Sequence, residues 1–427
     1  MFEPFGLERF FAEHEFNARY LLCTSDCESM PISTLLELSD NPGHALESLT
    51  KTWLGYTESR GSPILREKIA KLYKGLEAKS ILVHSGAEEA ILNLYMATIQ
   101  PGDTVIVNWP CYQSLHEIPK SLGAHVIKWE IQRSPARWFF DPVELEQLIE
   151  SAEGPDRRHG PGASFGFGSG PSPSLNARTN SGSARKFSPG PNPTTHVKMV
   201  VLNMPHNPTG ALMTQEEFSR VVEICAKRGI TLLVDEVYRL LELDGREPLP
   251  AACEVYENAI SLSVLSKAWG LAGLRIGWLA THRSDILDRV AAVKDYNSIC
   301  ASAPSETLAC IALDNSEKIL ARNKAICQSN LAHYRAFFDQ HVELFSWIPP
   351  QGGSVAFPRL SATAENAPWN EADKLAHELV NDTGALILPG SLYGEEYAAH
   401  FRIGLGRAAI PQGLDVFSKW LENRRKI

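Results

Sequence analysis

"SVLSKAWGLAGLRIGW", residues 263–278, places a lysine among small and apolar residues and an arginine eight positions later inside a second apolar run. Lysine is ordinarily a solvated surface residue, so Lys267 acquires meaning only from its neighbours. The β-rich run before it, "AISLSVLS", and the return "RIGW" after it read as two strands joined by a loop. Lys267 then sits at the exit of the first strand, and the small residues Ala268 and Gly270 leave open space beside it.

Further strands lie upstream. "DTVIVNWP", "AHVIKWEI", "VKMVVLNMP" and "ITLLVDEVY" are short and β-rich, whereas "EEAILNLYMATI" and "QEEFSRVVEICAKRG" space their apolar residues as helices do. "PILREKIAKLYKGL", 63–76, predicts a helix opened by its proline. This alternation predicts an α/β fold whose mostly parallel sheet is flanked by helices, its strands buried on both faces. After about residue 300 a long helical region and then "FSWIPPQGGSVAFPRL" and "GALILPGSLYGEEYAAHFRIGLG" predict a smaller α+β domain. The expected division is a large domain over 45–300 and a small one from 1–44 and 301–427. Residues 154–195 break the pattern: rich in Gly, Pro, Ser and Arg, they hold too little apolar content to fold alone and read as a disordered insertion.

The whole chain excludes several classes. Its 427 residues carry 41 basic and 50 acidic side chains, a formal net charge of −9, and no basic stripe suited to a nucleic-acid backbone. Eight cysteines are scattered without paired zinc knuckles, so no metal site is expected and reduced buried thiols are. No apolar run approaches the roughly twenty residues of a membrane span. The N-terminal stretch, interrupted by acids, resembles neither a signal nor a transit peptide, which predicts a cytoplasmic protein.

Chemistry concentrates at predicted strand ends. Asp235 and Glu236 follow the apolar run of "ITLLVDEVY", where open α/β sheets bind ligands, and Tyr238 comes three residues after Asp235. Asn207 lies in the turn "NPTG" at another strand end. Gly86, Ala87 and Glu88, in "HSGAEEAI", open a helix whose free N–H groups suit a phosphate. Taken singly, each of these also fits an ordinary turn, helix cap or core position.

Together, the ordered set SGAEEA, WPCY, NPTG, DEVY, SKAWGLAGLRIGW and FRIG resembles the fold-type I pyridoxal-phosphate enzymes of the class I/II, aspartate-aminotransferase-like family, over residues of about 45–410. The resemblance implies pyridoxal 5'-phosphate as cofactor. It implies that Lys267 binds it as a Schiff base and then moves the substrate's α-proton. Asp235 keeps the pyridine nitrogen protonated, Asn207 and Tyr238 meet the phenolic oxygen, and Tyr112 of "WPCYQSL" stacks on the ring. Arg275 and the amides of Gly86, Ala87 and Glu88 cradle the phosphate, with Ser266 or Ser263 beside them. Val264 stands where many relatives carry a phosphate-binding hydroxyl. Arg402, in "FRIGLG", clamps the substrate α-carboxylate near Asn207, and Tyr56 reaches the phosphate of a neighbouring subunit, which implies a homodimer.

The resemblance implies an aminotransferase acting on an L-amino acid and a 2-oxo acid. The alternatives are a lyase performing C–S or other β- or γ-elimination, and an amino-acid cyclase or oxidase of secondary metabolism. A non-catalytic ligand sensor of this fold is disfavoured by Lys267, Asp235 and Arg402 and by the lack of a helix-turn-helix-sized stretch ahead of the matching segment. In "CTSDCESMP", Asp26 or Glu28 is positioned to meet a cationic or polar substrate group, or simply to line an exposed loop.

Overall fold

The computed structural model describes residues 2–153, 196–361 and 371–424. The predicted insertion, 154–195, lies outside them. One sheet holds seven strands: β1 (Ile81–His84), β2 (Thr104–Trp109), β3 (His125–Glu130), β4 (Val197–Asn203), β5 (Thr231–Asp235), β6 (Ala259–Val264) and β7 (Gly277–Ala280). Their order is β1-β7-β6-β5-β4-β2-β3. The pairs from β3 through β6 are parallel. β2 is buried along its whole length, as an apolar run covered on both faces must be.

β7 is the exception, antiparallel to both β1 and β6. The loop from Leu265 to Ile276 holds one short 3-10 turn, Ala272–Leu274, and no crossover helix, so it returns the chain antiparallel. Trp269 and Trp278 anchor this loop from inside, 2 % and 0 % exposed, with ring centroids 6.1 Å apart. Trp269 Nε1 donates to Ser316 Oγ at 3.0 Å and Trp278 Nε1 to Tyr73 Oη at 2.8 Å. Each buried indole contributes on the order of 3 kcal/mol. Lys267 is thus carried on a clamped loop.

Five helices matter for the site: α1 (Gly6–His14), α2 (Pro63–Ala70), α3 (Ala87–Thr98), α4 (Gln215–Arg228) and α5 (Ser316–Gln340). The helix predicted over 63–76 stops at Ala70. The reason is tertiary: Leu72 and Tyr73 turn inward, Tyr73 to meet Trp278.

A second, smaller group of strands joins distant parts of the chain. Phe401–Gly404 lies between Val355–Ala356 and Leu388–Pro389, antiparallel to both, while Tyr20–Leu21 pairs in parallel with Ala385–Leu386. The segment after Leu21 then runs across the main sheet's C-terminal edge. Gly404 N–H donates to Leu22 O at 2.7 Å, Cys27 N–H to Lys267 O at 3.4 Å, and Glu28 N–H to Gly406 O at 2.8 Å. Leu7 of α1 is buried with Leu82, Val105 and Leu386, so α1 packs where the two strand groups meet.

α4 has a complete capping box. Thr214 Oγ1 accepts from Glu217 N–H at 3.2 Å and Glu217 Oε2 accepts from Thr214 N–H at 2.8 Å. Thr214→Ala is expected to lower stability by about 1 kcal/mol in denaturant unfolding, because it removes the acceptor for an N-terminal N–H.

Candidate active site

The parallel strands deliver polar residues to one edge. β5 ends in Asp235, β4 leads into the turn holding Asn207, β6 leads to Lys267, and β1 leads through Ser85 to the start of α3. They border a cavity of about 570 Å³ lined also by Ala87, Glu88, Tyr112, Tyr238, Ser266, Arg275 and Arg402. Lys267 Nζ donates to Ser25 Oγ at 2.8 Å, and burial holds its pKa below the usual lysine value. A lowered pKa favours the neutral, nucleophilic amine.

Asp235 and Glu236 part ways through strand alternation. Glu236 turns away from the cavity, where Oε1 accepts from Ala252 N–H at 2.7 Å and Ser261 Oγ at 2.8 Å. Asp235, 5 % exposed, accepts from Val237 N–H at 3.2 Å through Oδ1. Its other oxygen receives no hydrogen bond from a described residue, and burial pushes the carboxyl up to about 7. That oxygen suits a buried N–H donor on a bound ring.

Arg402 is 1 % exposed yet fully held. Its Nε and Nη2 donate to Cys23 O at 3.1 and 2.9 Å, and Nη1 donates to Tyr393 Oη at 2.7 Å and Asn207 Oδ1 at 3.3 Å. Tyr393 Oη donates to the same Asn207 oxygen at 2.9 Å. With Oδ1 occupied as acceptor, Asn207 has its amide N–H groups left as donors. Burial pushes Tyr238 up to about 12, so its phenol is also a donor at neutral pH.

At the start of α3 no side chain caps Gly86, whose φ is +101°. A Cβ there would meet Arg275 Nη2 at 2.3 Å. Arg275 itself has φ +53°, costly for a residue with a Cβ, and makes no ion pair with a described residue. Its Nη1 donates to Ser266 Oγ at 3.4 Å. A helix N-terminus and an unpaired guanidinium thus converge where only glycine fits, which matches a phosphate. Val264 faces the same cavity among Val237 and Tyr238, whereas Ser263 lies on the other side of β6; of the two serines, Ser266 alone lines the cavity. Tyr56 lies outside the lining and is 89 % exposed.

The family model for aminotransferase class I and II matches residues 21–413. The chain belongs to that family. Pyridoxal phosphate is its cofactor, and it is an enzyme of the transaminase type. It resembles a capreomycidine synthase of Streptomyces vinaceus, 24 % identical over 85 % of this chain and 80 % of the relative. It also resembles an aspartate aminotransferase of Geobacillus stearothermophilus, 23 % identical over 90 % and 89 %. A solved PLP-dependent aminotransferase from Streptococcus suis superposes with a TM-score of 0.81, at 29 % identity over 99 % of this chain and 98 % of that one. No described helix is long and apolar enough to cross a membrane.

Sequence reasoning passed over Tyr393, Ser25 and the face of α1 that carries Glu8, Phe11 and Glu15. The i, i+3, i+7 spacing of that face was the available signal. Of the two acids in "CTSDCESMP", Asp26 lines the cavity and pairs with Arg407 at 2.8 Å, while Glu28 accepts from Ala408 N–H at 2.8 Å and does not line it.

The raised Asp235 pKa has a measurable sign. Between about pH 4 and 7 the folded, cofactor-free protein keeps a proton that the unfolded chain has released, so this carboxyl's contribution to stability falls as pH rises through that window. Asp235→Asn in the cofactor-free protein is expected to remove on the order of 4 kcal/mol of that loss. Denaturant midpoints of both proteins at pH 5 and 8 check it.

Proposed function

We propose that this aminotransferase moves an amino group from an L-amino acid to a 2-oxo acid, with Lys267 as the attachment and proton-transfer residue. The observation that carries the reading is the convergence of Lys267, Asp235 and Arg402 on one cavity whose far end is Arg275 packed on Gly86. When bound, pyridoxal phosphate supplies a carbonyl that takes up the amino group and a ring that spreads charge from the substrate's Cα. Arg275, Ser266 and the N–H groups of Gly86, Ala87 and Glu88 hold its phosphate. Asp235 keeps a proton on the ring nitrogen, Asn207 and Tyr238 donate to the ring oxygen, and Tyr112 covers one ring face. Arg402 binds the α-carboxylate, which fixes the Cα–H bond toward Lys267; Lys267 takes that proton and returns it.

The same reading assigns the surface of Tyr56 to a second copy, so that the working unit is a homodimer with Tyr56 reaching the partner's phosphate site. It divides the chain into a large part, 45–300, and a small part from 1–44 and 301–427, and it places the protein in the cytoplasm. A second reading, elimination or cyclisation at the same site, is supported by the relative named capreomycidine synthase.

One assay separates the two. The loaded protein mixed with amino acids and no oxo acid is expected to stop after one stoichiometric conversion of cofactor to its amine form; repeated turnover releasing ammonia or thiol selects elimination. Lys267→Ala should abolish turnover together with borohydride-fixable cofactor attachment, and an undiminished rate overturns the assignment. Arg402→Ala is expected to cost about 2 to 4 kcal/mol in kcat/KM for amino acids, with little effect on the matching amines that lack the carboxylate.

A further inference from the structure

The cavity's charges are unequal once the cofactor and the substrate's common groups are seated. Its lining cations among the described residues are Lys267, Arg275 and Arg402, and on the reading above each already has a partner: the carbonyl, the phosphate and the α-carboxylate. Nothing cationic in the lining is left for a second carboxylate. The acids are in surplus. Asp235 has the ring nitrogen to face, but Glu8, Glu15 and Asp26 also line the cavity, on the wall made by α1 and the segment after Leu21.

These three differ in what they already bind. Asp26 is paired with Arg407 at 2.8 Å. Glu8 accepts from Tyr112 Oη at 2.9 Å, which leaves its charge uncancelled. Glu15 makes no hydrogen bond or ion pair through its carboxylate with any described residue, although it is half-buried. Burial first, and the Asp26 carboxylate next, push its pKa up. On the helix, Glu8, Phe11 and Glu15 share one face, and the Phe11 ring centroid lies 5.8 Å from the Arg402 guanidinium carbon. A substrate clamped at Arg402 therefore has an apolar ring beside its stem and a carboxylate one turn away on either side. An unpaired carboxylate in a partly desolvated wall is costly and is relieved by an opposite charge.

We propose that the substrate is an amino acid whose side chain ends in a cation, an ammonium or a guanidinium, and that Glu15, assisted by Glu8, selects it. The proposal rests on the aminotransferase reading of this cavity and deepens it.

The test uses the full-length loaded protein with L-arginine, its uncharged near-isostere L-citrulline, L-ornithine and L-aspartate, each without oxo acid, following cofactor conversion. Conversion is expected to be at least about tenfold more efficient with L-arginine or L-ornithine than with L-citrulline, with L-aspartate poorest. Glu15→Gln should bring the arginine-to-citrulline ratio within about threefold, and Glu8→Gln should lower it less. Calorimetric binding of L-arginine and L-citrulline to the cofactor-loaded Lys267→Ala protein provides a readout independent of turnover and should give the same ordering. Equal use of arginine and citrulline, preference for L-aspartate, or a ratio unmoved by Glu15→Gln overturns the proposal while leaving the aminotransferase reading intact. Failure of every amino acid to convert the cofactor overturns that reading instead, and the binding ratio on Lys267→Ala then decides the selectivity.

Discussion

Gly277 touches the peptide that begins α3, and the geometry of the site depends on that contact. A Cβ on Gly277 would come within 2.7 Å of the Gly86 carbonyl carbon and 2.8 Å of Ala87 N, so the first turn of the helix lies directly on β7. The contact brings a helix N-terminus to the strand that follows the lysine loop. Two residues before Gly277, Arg275 takes a left-handed conformation that passes its guanidinium over Gly86. Such a conformation costs about 1 kcal/mol for a residue with a Cβ and persists where the surroundings impose it. Here the surroundings are the two clamped tryptophans on either side of the loop. Lys267 and Arg275 are therefore spaced by the loop's anchors as much as by the count of residues between them.

The other end of the cavity solves a different problem. A guanidinium removed from water is stable only if its donors are satisfied and a countercharge is near. Arg402 spends three of its donor contacts on Cys23 O and Tyr393, and a fourth on Asn207. None of these partners is a carboxylate, so the charge itself remains available to an anionic ligand. The same bonds orient Asn207 with its donors outward. One network thus sets the carboxylate clamp and a donor to the cofactor ring at once, and a change at Tyr393 disturbs both.

Much of this was legible in the chain. The strands over 104–109, 197–203, 231–235 and 259–264 announced themselves as short apolar runs because both faces of the sheet are covered. Lys267, Asp235, Asn207 and Arg275 stood at strand exits with fixed spacing, where ligand-binding residues are carried. What escaped notice depends on contacts distant in sequence. Helix α2 ends early because Tyr73 answers Trp278, 205 positions away. Tyr393 gains its place from Arg402 and Asn207, and no local pattern around "GSLYGEE" reveals that. Ser25 meets Lys267 across 242 positions. The ambiguity between Ser263 and Ser266 was one of facing, which strand alternation decides only when the end of β6 is known.

Helix α1 links the two halves of the site's chemistry. It is tied to the sheet through Tyr112: the Phe5 and Tyr112 rings lie 5.0 Å apart, Tyr112 Oη bonds Glu8, and Gly6 N–H donates to Gln113 Oε1 at 2.9 Å. Tyr112 is also the aromatic proposed to cover the cofactor ring. The wall that faces the substrate side chain is consequently registered against the ring's cover rather than against the catalytic lysine. Residues that perform proton transfer at Cα and residues that admit a particular side chain sit on separate elements, joined by one tyrosine. Such a division lets the α1 face change its charge without moving Lys267, Asp235 or Arg402, because none of those three takes its position from α1.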